Sequence, residues 1–339
     1  MDKNNLRLVF MGTPEFSAKI LAGLVNDGYN IIGVITEPDK PTGRKMEIMP
    51  TPVKKFAFER GLKVFQPEKK INVTEAVKEL NPDLVVVAAY GKIITKETLE
   101  IPKYGCLNFH GSLLPALRGA SPIQTAILEG LEKTGVTIMK MDEGMDTGPI
   151  LTQVEIKLDK NETTTSLREK MLEKGLPLLL NTIPEYINGK IELHAQEDEA
   201  TYAKMITKED GHIDFNKSAE EEERKLRAFN EWPGVYAFFG EKRVKFIEVD
   251  NNFQFSICPQ EGPANYYKIN VWDNFQSISN EQFSNKELGE VFLGDNNLLC
   301  LKFKEGVWVV KKLQMEGKNV VEAKDFLNGN KEIIGKVLK

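Results

Sequence analysis

The chain of 339 residues is 41% hydrophobic and 28% charged, with a formal net charge of −5 at pH 7. This length is enough for two domains with separate cores, and the acidic balance excludes a broadly basic protein that coats nucleic acid. No apolar run approaches the ~20 residues of a membrane span, no signal-peptide profile follows Met1, and three dispersed cysteines predict a cytoplasmic protein without a disulfide framework.

Strand patterns alternate with helical patterns through the first half of the chain. Apolar runs predict strands at 6–11, 30–36, 84–89, 105–110 and 136–141. With helices between them, this alternation predicts a mostly parallel, Rossmann-like α/β sheet that is covered by helices on both faces.

The first predicted strand is followed by Gly12-Thr13-Pro14, which predicts a turn into a helix with Thr13 as its N-cap. The Gly-x-Gly-x-x-Gly fingerprint of a dinucleotide-binding turn does not occur here. The sequence therefore argues against an enzyme that uses a nicotinamide cofactor.

The pattern changes after a long helical segment at 163–187. Residues 191–218 are polar and mixed and are interpreted as a linker, and 219–229 is predicted as a helix. Short β-like runs with Gly and Asn turns then predict a small, OB-like β-barrel, with strands at 243–249, 266–272, 298–303 and 307–313. We therefore expect a first domain at 1–190, a linker at 191–218 and a C-terminal domain at 219–339.

The strongest chemical signal lies in the predicted strand 105–110. Alternate side chains of a strand share a face, so Asn108 and His110 point the same way while Leu107 and Phe109 point into the core. An amide donor beside an imidazole can stabilise a developing oxyanion and manage a proton. Spacing alone leaves open that His110 is a strand-end histidine with a satisfied hydrogen bond.

A second candidate group lies in an acidic loop at 142–149, after the predicted strand 136–141. Ligands of open α/β sheets lie beyond the carboxyl ends of strands, so we expect Asp146 of this loop to meet Asn108 and His110 there. The alternative is that Asp146 is a turn aspartate bonded to its own backbone.

Further motifs are spread along nearly the whole chain. They read Met-Gly-Thr-Pro-Glu-Phe at 11–16, Glu-Pro-Asp-Lys-Pro-Thr-Gly-Arg at 37–44, Met-Pro-Thr-Pro-Val-Lys at 49–54, Asn-Phe-His-Gly-Ser-Leu-Leu-Pro at 108–115, Ala-Thr-Tyr-Ala at 200–203 and Trp-Pro-Gly at 232–234. In these motifs the chain resembles the folate-dependent formyltransferases and, among them, the methionyl-tRNA formyltransferase family.

This resemblance implies transfer of a formyl group from 10-formyltetrahydrofolate, used as a substrate and without a metal, to the free α-amino group of methionyl initiator tRNA in translation initiation. It implies Asn108, His110 and Asp146 as the catalytic residues, with Asp146 favouring the charged imidazole. It also implies folate contacts by Tyr90, Gly91, Ser112, Leu113, Leu114 and Pro115. We expect the first domain to be catalytic and the enzyme to be a monomer.

The acceptor tRNA is expected to contact a proline-rich loop at 37–52 and the C-terminal domain. Long loops are often functional, and lysine and arginine side chains bind phosphates. The expected tRNA-binding residues are Arg44, Lys45, Lys242, Arg243 and Lys311. The alternative is that these are solvated charges of a loop and of strands.

The chain departs from the family pattern at several places. Ala116 and Leu117 stand where the family commonly has a basic and an aromatic residue, Glu47 makes the loop after Arg44 less basic, and residues 250–288 look like an enlargement of the C-terminal domain. Two other functions remain open, a folate-dependent N-formyltransferase acting on an amino sugar nucleotide and a non-enzymatic RNA-binding protein.

Overall fold

The computed structural model describes residues 3–42, 47–197, 199–250 and 285–339, together with the backbone of short strands at 256–257, 266–269 and 276–279. The chain divides into two compact units. The first unit spans Met1–Ala126, Leu131–Lys160 and Ser166–Met205, and the second spans Ile127–Gly130, Asn161–Thr165 and Ile206–Lys339. The boundary after Met205 falls inside the segment that was interpreted as a linker.

The first part of the chain alternates strands with helices. Its strands are β1 (Leu8–Gly12), β2 (Ile31–Ile35), β3 (Lys40–Thr42), β4 (Glu47–Met49), β5 (Val64–Phe65), β6 (Leu84–Ala88), β7 (Cys106–His110), β8 (Arg118–Gly119), β9 (Lys133–Lys140), β10 (Ile150–Lys157) and β11 (Tyr202–Ala203). Its helices are α1 (Glu15–Asn26), α2 (Pro52–Glu59), α3 (Lys70–Leu80), α4 (Lys96–Glu100), α5 (Pro122–Leu128) and α6 (Thr164–Ile187).

Seven of these strands form one sheet in the order β10-β9-β7-β6-β1-β2-β5. The five strands from β7 to β5 run parallel, and β9 and β10 extend the sheet by antiparallel pairs. β1 and β6 are buried along their whole length, as parallel strands are when helices cover both faces of a sheet. The predicted mostly parallel α/β fold is therefore confirmed.

The turn after β1 leads into helix α1, but the helix begins without the predicted side-chain cap. Pro14 occupies the cap position of α1, and no side chain caps this helix. The Thr13 hydroxyl instead donates a hydrogen bond to the Tyr90 carbonyl oxygen at 3.0 Å, so the prediction of Thr13 as N-cap is wrong. A Cβ on Gly12 would lie 2.8 Å from the Ala88 oxygen, which requires glycine where β1 and β6 end side by side.

The chain beyond residue 205 is mostly strand. Its strands are β12 (Val235–Phe239), β13 (Lys242–Asp250), β14 (Ser256–Ile257), β15 (Tyr266–Ile269), β16 (Gln276–Ser279), β17 (Val291–Leu293), β18 (Leu299–Lys302), β19 (Val307–Met315) and β20 (Val320–Glu322). Its helices are α7 (Ala219–Ala228) and α8 (Ala323–Gly329). In the described part of the chain, no helix combines the length and the apolar character needed to cross a membrane.

The second unit is organised around a curled antiparallel sheet that forms half a barrel. Its order is β12-β13-β19-β18-β17, with β20 paired to β19. Trp308 is fully buried here, with its ring centroid 4.8 Å from Phe303 and 5.6 Å from Phe246. The Trp308 indole donates a hydrogen bond to the Ala219 carbonyl oxygen at 2.8 Å, which ties the start of α7 to the sheet. The predicted small β-domain is confirmed.

The region 250–288 contains a small sheet of its own. β15 lies between β14 and β16 in a three-stranded antiparallel sheet. The strand predicted at 266–272 is present at 266–269, but its assignment to the barrel is wrong, because the backbone of β15 pairs with β14 and β16. The connections between these strands lie outside the described residues.

Helix α7 begins with a capping box that makes its contribution to stability testable. The Ser218 hydroxyl accepts a hydrogen bond from the Glu221 N–H at 3.1 Å, and the Glu221 carboxylate accepts one from the Ser218 N–H at 2.9 Å. We expect Ser218→Ala to lower the free energy of unfolding by about 1 kcal/mol, as measured by urea denaturation of the full chain. Ser218→Thr keeps the acceptor and serves as the control; equal stability of Ser218→Ala and wild type would contradict the capping role.

Candidate active site

Strand β7 places two polar side chains on one face of the sheet. Asn108 pairs with Val87, so it lies beside the carboxyl end of β6. His110 follows two residues later on the same face and is only 5% exposed. Leu107 and Phe109 point to the other face and are buried.

The loop between β9 and β10 brings a carboxylate to these two side chains. Asp146 Oδ1 accepts a hydrogen bond from Asn108 Nδ2 at 3.3 Å and lies 3.6 Å from His110 Nδ1. Asp146 Oδ2 accepts a hydrogen bond from the backbone N–H of Gly119 at 2.8 Å. The structure thus brings together the three side chains for which the sequence analysis expected a catalytic role.

The turn-forming aspartate of this loop is Asp142. Its Oδ1 accepts hydrogen bonds from the Gly144 N–H at 3.1 Å and from the Thr147 hydroxyl at 2.7 Å, which is how an aspartate stabilises a turn. The Asp146 carboxylate is directed at other parts of the chain. Asp146 has a φ of 56°, a left-handed conformation that is uncommon for residues other than glycine.

The Asp146 loop reaches the site from an unexpected direction. β9 runs antiparallel to β7, and Lys140 at its end pairs with Leu107 near the start of β7. The loop therefore leaves β9 beside the start of β7 and is the turn of a β9–β10 hairpin, rather than a loop beyond a parallel strand. The short connection 141–149 was a usable signal, because parallel strands need a crossover of a dozen or more residues.

The His110 ring is held in one tautomer. Its Nε2 lies 3.0 Å from the Leu117 carbonyl oxygen, which only accepts hydrogen bonds, so Nε2 carries a proton. Burial lowers the pKa of His110, while Asp146 and the bond to Leu117 act in the opposite direction. The expected preference of Asp146 for a charged imidazole is therefore outweighed by desolvation, and the neutral ring presents the Nδ1 lone pair on the side of Asp146.

The loop after β7 is fixed by the two neighbouring strands. Thr137 Oγ1 on β9 donates a hydrogen bond to the Ser112 carbonyl oxygen at 2.6 Å and accepts one from the Leu114 N–H at 3.1 Å. Gln153 on β10 donates a hydrogen bond to the Leu114 carbonyl oxygen at 2.8 Å. The segment expected to contact folate is therefore rigidly supported.

The side chains expected to contact folate differ in accessibility. Leu113 and Pro115 are partly exposed, whereas Leu114 is buried and cannot present its side chain to a ligand in this conformation. Tyr90 is 2% exposed, and its buried hydroxyl has no hydrogen-bond partner among the described residues. Burial, with a contribution from Glu37, raises the pKa of Tyr90 to about 12. Gly91 has a φ of 82°, in the region that favours glycine.

The basic residues of the second unit that are expected to bind tRNA do not all lie on one face of its sheet. Lys242 is exposed, and the Arg243 guanidinium lies 5.5 Å from the centroid of the Tyr236 ring. Lys242 and Arg243 are neighbours on β13, so their side chains point to opposite sides of the sheet. Lys311 lies 3.6 Å from the Asp250 carboxylate. Two further candidates lie outside the described residues, namely Arg44 and Lys45.

A group of residues around β8 and β11 supports the site and was not predicted from the sequence. The Leu117 N–H donates a hydrogen bond to Thr201 Oγ1 at 2.9 Å, and β8 pairs in parallel with β11. Gln196 donates a hydrogen bond to the Asp146 carbonyl oxygen at 2.9 Å. Gln196, Thr201 and β11 lie in the segment interpreted as a linker, where the motif at 200–203 was the available signal.

The site combines an amide, an imidazole and a carboxylate at the end of an α/β sheet. Such groups can stabilise a developing oxyanion and move a proton. Among the described residues, no group of three or more His, Cys, Asp or Glu side chains could hold a metal ion. The arrangement is therefore that of a candidate active site for a reaction that passes through an oxyanion.

Two family models match this chain. Residues 6–183 match the family model described as "Formyl transferase", and residues 205–331 match "Formyl transferase, C-terminal domain". The chain belongs to the formyl transferase family, and the predicted resemblance is confirmed.

Relatives agree with this assignment, and a solved structure shares the fold. A protein of Caldicellulosiruptor saccharolyticus named "Methionyl-tRNA formyltransferase" is 40% identical over 98% of this chain and 99% of its own. A protein of Bacillus cereus with the same name is 49% identical over 71% of this chain and 77% of its own. The crystal structure of HypX from Aquifex aeolicus in complex with tetrahydrofolic acid has a TM-score of 0.61 at 15% identity and covers 95% of this chain. This chain spans only 47% of HypX, and the likeness shows the fold alone.

The burial of His110 predicts a pH dependence of stability. Its pKa lies below the ordinary value of 6.5 in the folded chain, so the unfolded chain binds more protons as the pH falls from 6.5 towards the lowered pKa. The contribution of His110 to the free energy of unfolding is therefore fully present above pH 6.5. It is lost as the pH falls from 6.5 through the lowered pKa of the folded chain. In urea denaturation, we expect His110→Gln to show a flatter decline at acid pH than wild type. Parallel declines would contradict the lowered pKa.

Proposed function

We propose that the protein transfers the formyl group of 10-formyltetrahydrofolate to the α-amino group of methionyl initiator tRNA, and that it does so in the cytoplasm as a monomer. The observation that carries this proposal is the match of both domains to relatives named methionyl-tRNA formyltransferase, one of them over 98% of this chain. HypX, with the same fold, is bound to tetrahydrofolic acid. This supports a ligand of the folate class for the present chain.

The site geometry supports a division of roles among the three polar side chains. One N–H of the Asn108 amide is bonded to Asp146, which leaves the other to donate to the oxyanion of the tetrahedral intermediate. The unprotonated Nδ1 of His110 accepts the proton of the attacking amine. Asp146, 3.6 Å away, then stabilises the imidazolium. One oxyanion donor contributes about 3–4 kcal/mol to lowering the barrier, on the order of 10²–10³ in rate.

The reaction balances without any further reactant. The amine nitrogen of the acceptor forms a bond to the formyl carbon, and the bond from that carbon to N10 of the folate breaks. The proton that His110 takes from the amine returns to N10 as the tetrahydrofolate leaves. Water is kept from the imidazole by its burial, since the His110 side chain is 5% exposed.

Folate binding is proposed at the ends of β6 and β7, which lie side by side in the sheet. Because Leu114 and Tyr90 are buried, the proposed contacts come from the partly exposed Leu113 and Pro115 and from backbone groups of Gly91 and the Ser112 loop. The hydrogen bonds from Thr137 and Gln153 hold this loop in place before the ligand arrives. Such a preformed site costs little ordering on binding.

Recognition of tRNA is proposed for the proline-rich loop and the second unit. Arg44 and Lys45 supply the positive charge of the loop. On the second unit, Lys242 and Arg243 are the better candidates, because Lys311 is engaged by Asp250. Phosphate contacts of this kind hold the acceptor in register without reading its sequence.

The catalytic proposal is tested by assaying charged initiator tRNA and an amino sugar nucleotide as acceptors, with 10-formyltetrahydrofolate as donor. We expect N-formylmethionyl-tRNA and no formylated sugar. Asn108→Ala is expected to lower kcat by roughly 10²-fold, and Asp146→Asn to lower it as well, because the carboxylate that stabilises the imidazolium is removed. Thermal unfolding of both variants is the control for folding. Formylation of the amino sugar alone would overturn the choice of acceptor.

If Arg44 binds tRNA, its removal should change KM for Met-tRNA but not KM for the folate. Arg44→Ala is expected to raise KM for Met-tRNA and to leave KM for the folate near its wild-type value. The slope of log affinity against log salt should fall by about 1 for each phosphate that the variant no longer binds. Lys312→Ala is the matched control, since Lys312 pairs with Glu248 at 2.6 Å. An unchanged KM for Met-tRNA in Arg44→Ala across the salt series would contradict the role of the loop.

A further inference from the structure

The side chain of Gln196 joins the Asp146 loop to Arg118. Its Nε2 donates hydrogen bonds to the carbonyl oxygens of Asp146 at 2.9 Å and Gly148 at 2.7 Å. Its Oε1 accepts two hydrogen bonds from the Arg118 guanidinium, at 3.0 and 2.7 Å. Both N–H groups and both acceptor positions of the amide are in use, so the side chain is held in one orientation.

The loop that carries Asp146 needs such a support. A non-glycine residue with a φ of 56° persists only where its surroundings hold it. The two carbonyls that Gln196 binds belong to Asp146 and Gly148, on either side of Thr147. Gln196 therefore fixes the backbone from which the Asp146 carboxylate projects.

Arg118 connects this support to the rest of the site. Its side chain is 9% exposed, and its backbone N–H donates a hydrogen bond to the Thr201 carbonyl oxygen at 2.9 Å. The residue before it, Leu117, holds the His110 ring through its carbonyl oxygen. Arg118 thus belongs to a segment that is anchored on one side and contacts the imidazole on the other.

The residue after Arg118 closes a ring of contacts around Asp146. The Gly119 N–H binds the Asp146 carboxylate at 2.8 Å, while Gln196 binds the Asp146 backbone and the Arg118 side chain. The carboxylate of Asp146 is therefore held by Gly119 and its backbone by Gln196, whose side chain is bonded to Arg118, the neighbour of Gly119. Removal of Gln196 would free the Asp146 backbone to shift, and the carboxylate would then no longer be held in place opposite His110.

We propose that Gln196 is a positioning residue, which holds Asp146 in the geometry that serves Asn108 and His110 without touching the reacting atoms. The inference rests on the proposed function for its kinetic consequences. Displacement of a catalytic group by about 1 Å can cost roughly 10²-fold in rate. The loss should fall on kcat and kcat/KM equally, because Gln196 contacts neither substrate.

The test uses two substitutions in the full chain. Gln196→Met keeps the length of the side chain and removes all four hydrogen bonds. Gln196→Glu keeps the oxygen that accepts from Arg118. Its second carboxylate oxygen replaces the amide nitrogen and faces the carbonyl oxygens of Asp146 and Gly148, which it cannot bind. We expect both variants to lose roughly 10²-fold in kcat, with KM for the folate and for Met-tRNA unchanged. Wild-type kcat in either variant would overturn the proposal, and so would a rise in KM without loss of kcat.

A second readout does not depend on activity. NMR titration of the histidine ring protons in the full chain follows His110 beside His194 and His212. In Gln196→Met we expect the pKa of His110 to fall further, because the carboxylate that opposes the effect of burial moves away. An unchanged His110 titration would overturn the proposal.

Gln153→Met is the matched control, since Gln153 is also bonded within the first unit, to the Leu114 carbonyl oxygen and to Thr137. It should raise KM for the folate and leave the His110 titration unchanged. If it moved that titration as Gln196→Met does, general loosening of the unit would explain both, and the proposal would fall. If wild type formylates neither acceptor, the proposed function fails and the titration alone decides the role of Gln196.

Discussion

The Asp146 carboxylate is the group on which the rest of the site depends. One oxygen faces the Asn108 amide and the His110 ring, and the other accepts the Gly119 N–H. Strand β7, the hairpin loop and the segment around β8 must therefore all be in place before the carboxylate is oriented. Because the Asn108 amide and the Gly119 N–H donate hydrogen bonds to this carboxylate from different directions, its orientation is fixed.

Burial and charge act against each other at His110, and the balance sets its chemistry. The imidazole is buried, which favours the neutral form, whereas the neighbouring carboxylate favours the charged form. A ring that is neutral at rest and faces an anion is suited to take up a proton and then to be stabilised while it holds it. The Leu117 carbonyl fixes which nitrogen remains free for this step.

The sequence predicts five of the seven strands of the main sheet and, on one of them, two members of the site, because periodicity carries that information. Asn108 and His110 are two residues apart on a strand, so their common face follows from the alternation of side chains. Gln196 and Thr13 could not be predicted in the same way. The Gln196 amide donates to backbone carbonyls about 50 residues away in the sequence. The Thr13 hydroxyl donates to the Tyr90 carbonyl oxygen and does not cap the helix that follows it. Hydrogen bonds to distant backbone leave no periodic pattern.

The charge of the chain bears on the proposed acceptor in a local way. A net charge of −5 opposes binding of a polyanion at long range, and the described ion pairs of the half-barrel neutralise lysines that the sequence alone presents as basic. Lys311 and Lys312 lie against Asp250 and Glu248. Affinity for tRNA must then come from a small number of unmatched cations placed at the right phosphates, so the proposed recognition is one of position rather than of overall charge.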